Sequence, residues 1–530
     1  MDYNINKRKD IKMKINIKNI AALLLLGGAI IGNSGCKKFL DETDPTNLSP
    51  NSFYTLPEHA EAGIAAVYSE IRFIGNGAGI FSNNWQMLDA PTGIQTTETA
   101  QNSDLNNLYS LIYDGTNLHV NQNWNGFYKV IAQTNLVLDK VPGINPMDAA
   151  QKKRILGEAS FIRAWAYFYL VRLWGDVPLI TKPITSPNDP NFSPSRTPQE
   201  QVYKQIVDDL VSAEAAGLPY MDGSGRVSTA AIKSELAKVY LTMAGQPLNK
   251  GAAYYRLAAD KAKEVVDYAA ANTGSLGLYT TYGAIHDAKN DNKLEHLFGI
   301  QYNDAAGAGN PLQSSYLPLH QPLVSKIDGI GTSIPTQSFY GSYEAGDLRA
   351  KNRDGYFFTD YYTDGFKLPL INRGKPYIFK HFDVIANGTL GVEGTSRSDL
   401  NIPQIRFAET LLIYAEAQNR ADGAPNAAAY TAVNAIRKRA QLADLAGLSQ
   451  TQFEEAVWRE RWHELCYEGI TWFDMVRLRK VYNETTNGFD NFVGHINKSV
   501  NQPLQTKHLL FPIPTPEIKN NPNLTPNPGY

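Results

Sequence analysis

"ILGEASFIRAWAYFYLVRLWGDVPL", Ile155 to Leu179, carries the strongest periodicity in the chain. Ile155, Ala159, Ile162, Ala166, Tyr169 and Leu173 advance by alternating fours and threes, which places them in one apolar stripe along a helix. Trp165, Phe168 and Arg172 form a second face. A helix with two apolar faces packs on both sides, so this segment reads as an inner layer of a helical stack.

Other helical segments flank it in pairs. Ser228 to Gly245 precedes Ala252 to Ala271, and Pro403 to Ala421 precedes Asn426 to Ala440. A helix ending at Glu468 precedes "ITWFDMVRLRKV"; residues 57–74 pair with Val120 to Val141, and 151–174 with 198–217. Helix starts are punctuated at capping-box spacing by Thr55 and Glu58, Thr197 and Glu200, and Thr451 and Glu454. The periodicity supports a helical-hairpin array with uneven units. Two segments break it: residues 75–118 and 272–402, rich in Gly, Asn, Thr, Asp and aromatics, with "HLFGIQY" reading as a short strand. Long insertions of this kind in a helical body tend to carry function.

The first forty residues have another logic. Lys7, Arg8, Lys9, Lys12, Lys14 and Lys18 precede "IAALLLLGGAII", an apolar run shorter than the ~20 residues a bilayer span needs. This is the form of a secretion signal. Ser34 and Gly35 lead into Cys36, which is read as the lipidated first residue of the mature chain, with Asn33 where the usual lipobox carries an aliphatic residue. The expected organisation is a lipoprotein signal peptide over 1–35, a lipidated N-terminus and tether over 36–56, and one domain over 57–530. With Cys36 acylated, Cys466 has no partner for an intramolecular disulfide.

Fifty Lys and Arg against 52 Asp and Glu leave no basic excess for a phosphate backbone, which argues against nucleic acid as a partner. Without residues 1–35 the balance becomes 44 against 50. Catalytic and metal signatures are wanting: "HELCY" at His463 lacks the second His of a zinc helix, "GNGAG" at Gly75 lacks the nucleotide-loop context, and no GxSxG is present. No cofactor and no metal are expected. Carboxylate pairs such as Asp208–Asp209 or Glu454–Glu455 cannot be told from solvated helix faces, so an exported glycoside hydrolase stays as an alternative.

Five stretches in order, "GEASFIRAWAYFYLVRLWGDVPLI", "IPQIRFAETLLIYAEAQNR", "VNAIRKRA", "ERWHELCYEGITWFDMVR" and "LLFPIPTPEIKNNPNLTPNPGY", resemble the SusD/RagB family of Bacteroidetes outer-membrane nutrient-binding lipoproteins. The resemblance implies a mainly α fold: about four tetratricopeptide-like hairpins as scaffold, with a large irregular, partly β, ligand-binding half formed by the insertions. It implies a surface-exposed, non-catalytic protein, lipid-anchored in the outer membrane, that hands oligosaccharide to a SusC-like TonB-dependent transporter. The RagB branch implies peptide or glycopeptide as the alternative ligand. Family members take ligand contacts from the two insertions. A sugar site wants aromatic platforms flanked by amides or charged groups. The candidates are Trp85 with Asn83 and Asn84, and Tyr302 and Tyr316 bracketing the Gly-rich loop, with Asn303 and Asp304 beside them. "GYFFTDYYTDGF" from Gly355 reads as a hairpin or sheet edge, and Trp458, Trp462, Trp472 and Phe473 as packing residues.

Overall fold

The computed structural model describes residues 53–77, 82–99, 102–319, 329–363, 367–383 and 398–530. The leader, Cys36 and most of the tether lie outside the described residues. In chain order the scaffold helices are α1 (Pro57–Glu70), α2 (Ser103–Tyr109), α3 (Leu118–Lys140), α4 (Ala149–Trp174), α5 (Gln199–Glu214), α6 (Thr229–Ala244), α7 (Ala252–Ala271), α8 (Phe407–Asp422), α9 (Ala427–Arg439), α10 (Gln450–Glu464) and α11 (Thr471–Leu478).

The double-faced periodicity of Ile155 to Leu173 is realised in α4. Asp148 caps its start, accepting from the Gln151 amide at 2.8 Å, and Gly175 ends it at φ 74°. From Ile155 onward nearly every side chain is buried, because α3 packs along one side and α5 along the other. Three more of the expected pairs form: α1 lies on α3, α6 on α7 and α8 on α9, while α7 also packs on α8 and so continues the stack. The helix expected to end at Glu468 stops at Glu464, and it packs chiefly on α8 instead of pairing with α11. The protein is thus mainly α, with helical hairpins in series.

Each helix start differs in detail from the spacing that signals it. The α10 box is formed by Ser449 and Gln452, two residues before Thr451 and Glu454. Asp176, and not Thr197, supplies the acceptor for the Gln199 amide at the start of α5. At α1 the His59 ring, in place of Glu58, receives the Thr55 and Leu56 amides. Pro403 to Arg406 is strand, not helix, because it pairs with the "HLFGI" strand.

Among the described residues every sheet is two-stranded and antiparallel. β1 (Gln95–Thr96) pairs with β3 (Ile334–Pro335) and so joins the two insertions. β2 (His296–Ile300) pairs with β6 (Ile402–Arg406), with His296 opposite Arg406 and Ile300 opposite Ile402. β4 (Phe357–Thr363) and β5 (Lys367–Ile378) form the hairpin expected from Gly355 onward, and Phe358, Tyr361, Tyr377, Phe379 and Phe382 make its own small core. β7 (Lys480–Asn483) and β8 (Gly488–Asn491) form another hairpin, whose Phe489 packs against Trp458 and Trp462.

Between α8, α9, α10 and β6 lies a buried ionic network. Arg406 donates to Glu468 (2.6 and 2.8 Å), Glu295 and Glu464. Arg439 spans Glu295 and Glu464 at 2.6 Å each. Arg349 pairs with Asp347 and Glu460, and Arg437 with Glu460 and Glu344. Arg461 and Arg477 share Asp474, and Arg477 also grips Glu416. Burial works to raise the Glu468 carboxyl, but Arg406 and Lys380 override it and hold the group at about 2.

Candidate functional site

The chain leaves α1 through a tight turn, Ile71–Gly75, that aims Arg72 and Phe73 sideways before the first insertion begins. Opposite this corner runs the Gly-rich loop after β2. Asn303 fixes that loop by accepting the Ala306 amide at 3.0 Å and exchanging backbone bonds with Ala308, while Gly307 turns the chain at φ 73°. Between corner and loop opens a cleft of about 320 Å³ lined by Ser69, Glu70, Arg72, Phe73, Asn76, Tyr302 and Gly307 to Gly309.

Its lining combines hydroxyl, carboxylate, guanidinium and amide groups with two aromatic edges. The Arg72 guanidinium is steadied by the Ser69 hydroxyl at 2.5 Å. Phe73 is half-buried and packs edge-on against Phe127, at 4.9 Å between ring centroids. Asn76 is exposed. Asp304 is half-exposed on the loop beside the cleft, its amide held by Asp399 at 2.7 Å. Such a surface can meet the hydroxyl edge of a polar ligand and the C–H face of a ring together.

Of the residues expected from sequence, Tyr302 lines this cleft and Asp304 borders it. Tyr302 presents its edge: it is 8% exposed, and its hydroxyl lies against Gly75 with no hydrogen-bond partner among the described residues. Burial raises its pKa, with Arg72 opposing. Gly75 lets the Tyr302 hydroxyl lie against the turn, since a β-carbon there would push that ring aside.

The expected Trp85 platform with its two amides, and Tyr316, need correction. Trp85 is fully buried and packs under the loop against Gly469 and its neighbours, so it offers no ring face to a ligand. Tyr316 is also buried and packs at a tilt against His381, with 4.6 Å between centroids. Asn84 faces inward, its side chain donating to the Phe73 carbonyl at 2.9 Å, while its backbone amide donates to the Asn76 carbonyl at 2.9 Å. Asn83 donates to the Ser315 hydroxyl at 3.1 Å and, with Gln86, forms a reciprocal cap. These amides hold the cleft wall from behind.

Arg72, Phe73 and Asn76 escape a reading of the sequence because they look like the end of an ordinary helix. The available signal is the stop itself: Gly75 and Gly77 place these residues at a loop rim. Among the described residues no cluster of His, Cys, Asp or Glu is arranged to hold a metal ion.

A family model described as the SusD family matches residues 208–530, and one described as starch-binding associating with outer membrane matches residues 38–241. The SusD-like protein P2 of Formosa agariphila is 30% identical over 435 residues, covering 77% of this chain and 80% of that protein. The crystal structure of a SusD superfamily protein from Parabacteroides distasonis is 35% identical, with a TM-score of 0.82 over 89% of this chain and 99% of that one. The structure of a laminarin-binding SusD-like protein shares the fold at 24% identity, with a TM-score of 0.70 over 90% of this chain and 100% of that one. With its helical hairpins, its joined insertions and a family model matching more than half of its length, the chain belongs to the SusD/RagB family.

Proposed function

We propose that this protein is a non-catalytic, cell-surface glycan-binding lipoprotein of the outer membrane. It captures oligosaccharide in the cleft between the Arg72 corner and the Gly-rich loop and delivers it to a partner SusC-like TonB-dependent transporter. The anchor is Cys36, and the domain that binds glycan is 57–530. The observation that carries the reading is the cleft's chemistry: Arg72, Asn76 and Glu70 supply fork, amide and carboxylate for sugar hydroxyls, beside the edges of Phe73 and Tyr302. Glycan as the ligand is also supported by the laminarin-binding structural neighbour and by the starch-binding description of the family that matches residues 38–241.

The test is affinity electrophoresis and calorimetry against a panel of polysaccharides and oligosaccharides, with product analysis of the same mixtures. Retention by a glycan without released products is expected. Arg72→Ala and Asn76→Ala should each weaken that binding about tenfold or more, the loss of one or two charge-assisted or neutral hydrogen bonds to a ligand, with the melting temperature unchanged. Released products would revive the hydrolase reading, and retention of peptides alone would move the ligand to that class.

A further inference from the structure

A second cavity, of about 430 Å³, lies within the helical scaffold and shares no residue with the cleft. Its walls are apolar: Val171 from α4, Tyr203 from α5, Phe473 and Val476 from α11, and Leu509 and Leu510 from the C-terminal segment. The volume falls in the roughly 300–1,000 Å³ range of small-molecule sites. Arg172, Arg479 and Lys507 also line it, and no Asp or Glu does.

None of these three cations forms an ion pair among the described residues. Arg172 is clamped between two rings, its guanidinium carbon 3.7 Å from the centroids of both Phe168 and Phe473. Its Nε donates to the Phe168 carbonyl at 2.9 Å, which leaves both Nη atoms without an acceptor among the described residues. The acids that act on it from farther off, Glu235 and Glu409, are taken by Lys238 at 3.4 and 2.7 Å. Arg479 donates one Nη to the Val476 carbonyl at 2.7 Å, and Lys507 lies 5.3 Å from the Tyr530 ring centroid. Tyr203 is 2% exposed and contributes its ring and hydroxyl to the lining. Arg477, the fourth cation of the lining, is by contrast fully engaged by Glu416 and Asp474.

Arg172 is partly exposed, and on its other side it borders a narrow polar crevice with Glu409 and Asp474, which are already paired with Lys238, Arg461 and Arg477. It therefore has no counter-charge of its own, and stacking on aromatic rings does not supply one. The arrangement has a fixed fork, two further cations, a hydroxyl, greasy walls and nothing acidic. We propose that this cavity is a second binding site, specific for a small anion with an apolar body, whose carboxylate or sulfonate head meets Arg172, Arg479 and Lys507 while a ring or short acyl chain fills the space between Tyr203, Phe473 and Leu510. The glycan cleft plays no part in it, so the two sites stand or fall separately.

The test is calorimetric titration of the full chain with naphthalene-2-carboxylate, naphthalene-2-sulfonate and the neutral naphthalene-2-methanol. Saturable one-to-one binding of at least one anion is expected, with the neutral compound at least tenfold weaker; the two anions distinguish a carboxylate from a sulfonate preference. Arg172→Gln should abolish anion binding. Should that variant fail to fold, Lys507→Gln combined with Arg479→Gln decides, with a loss of about tenfold expected. The proposal is overturned if no anion saturates, if the neutral compound binds as tightly, or if the double variant binds as the parent does.

Discussion

A side chain that looks like a ligand platform can be a structural wedge, and Trp85 shows how to separate the two. It is fully buried, and its indole Nε1 has no acceptor among the described residues. Trp85→Ala should therefore cost about 3–5 kcal/mol of stability, the range for deleting a buried aromatic. Trp85→Phe, which removes the unpartnered N–H, should cost less and leave glycan affinity intact; loss of affinity with stability preserved would restore the platform role. Asp89, at the end of the same turn, gives a pH signature. Burial pushes its carboxyl up from 3.8 to about 7, with the Gly469 amide and Lys380 opposing. The raised value means the folded state holds the proton that the unfolded chain releases, so the residue's contribution is fully present below pH 3.8 and is lost as pH rises to about 7. Asp89→Asn should cancel this. Its melting temperature relative to the parent should climb between pH 4 and 7 and then level off, an effect of up to about 4 kcal/mol. A difference that does not vary with pH would contradict the assignment.

At the scale of elements, the stretches that resemble the family prove to be the carriers of the ionic network. "QIRFAET" brings Arg406, "AIRKRA" brings Arg437 and Arg439, and "ERWHELCYEG" brings Glu460, Arg461, Glu464 and Glu468. Each lies on a different element, so the network fixes how α8, α9, α10 and β6 meet. Arg406→Met should destabilise by about 3–5 kcal/mol, because it removes the cation shared by buried Glu295, Glu464 and Glu468 and leaves Glu295 to Arg439 and Glu468 to Lys380 alone, as urea denaturation would show. A change below about 1 kcal/mol would mean that the network relaxes around the loss. The helices themselves are readable because the stripe of Ile155 to Leu173 is written locally. Pro403 to Arg406 reads as helix in the sequence because its strand partner lies about a hundred residues earlier. The start of α10 moves to Ser449 because two neighbouring positions offer equivalent boxes. The cleft is half legible: Tyr302 and Asp304 border it, whereas Asn83 and Asn84 resemble ligand groups only while their true partners, Ser315 and the Phe73 carbonyl, are hidden in the tertiary fold.

For the whole molecule, the decisive relation is between the two insertions. Asn83 reaches Ser315, Gln86 reaches Thr332 (2.9 Å) and Ser333 (2.7 Å), and the Tyr109 hydroxyl donates to the Thr332 carbonyl (2.8 Å). The scaffold helices α3 to α7 lie between these partners in the chain, and α1 is held against them through α3. The corner that carries Arg72 is thereby tied, through Asn84 and Asn83, to segments more than two hundred residues away. Those ties also set an order of events in time. Contacts of 232, 246 and 247 residues' separation close late, since bringing distant segments together is slow and becomes easy only once the intervening hairpins have compacted. On refolding from denaturant, helical circular dichroism should return first and glycan binding last, in a distinct slower phase. During synthesis the cleft cannot be complete until the chain has grown past Asp399, which holds the Gly-rich loop, so a translating ribosome carries helices α1 to α7 while one wall of the cleft is still unsecured.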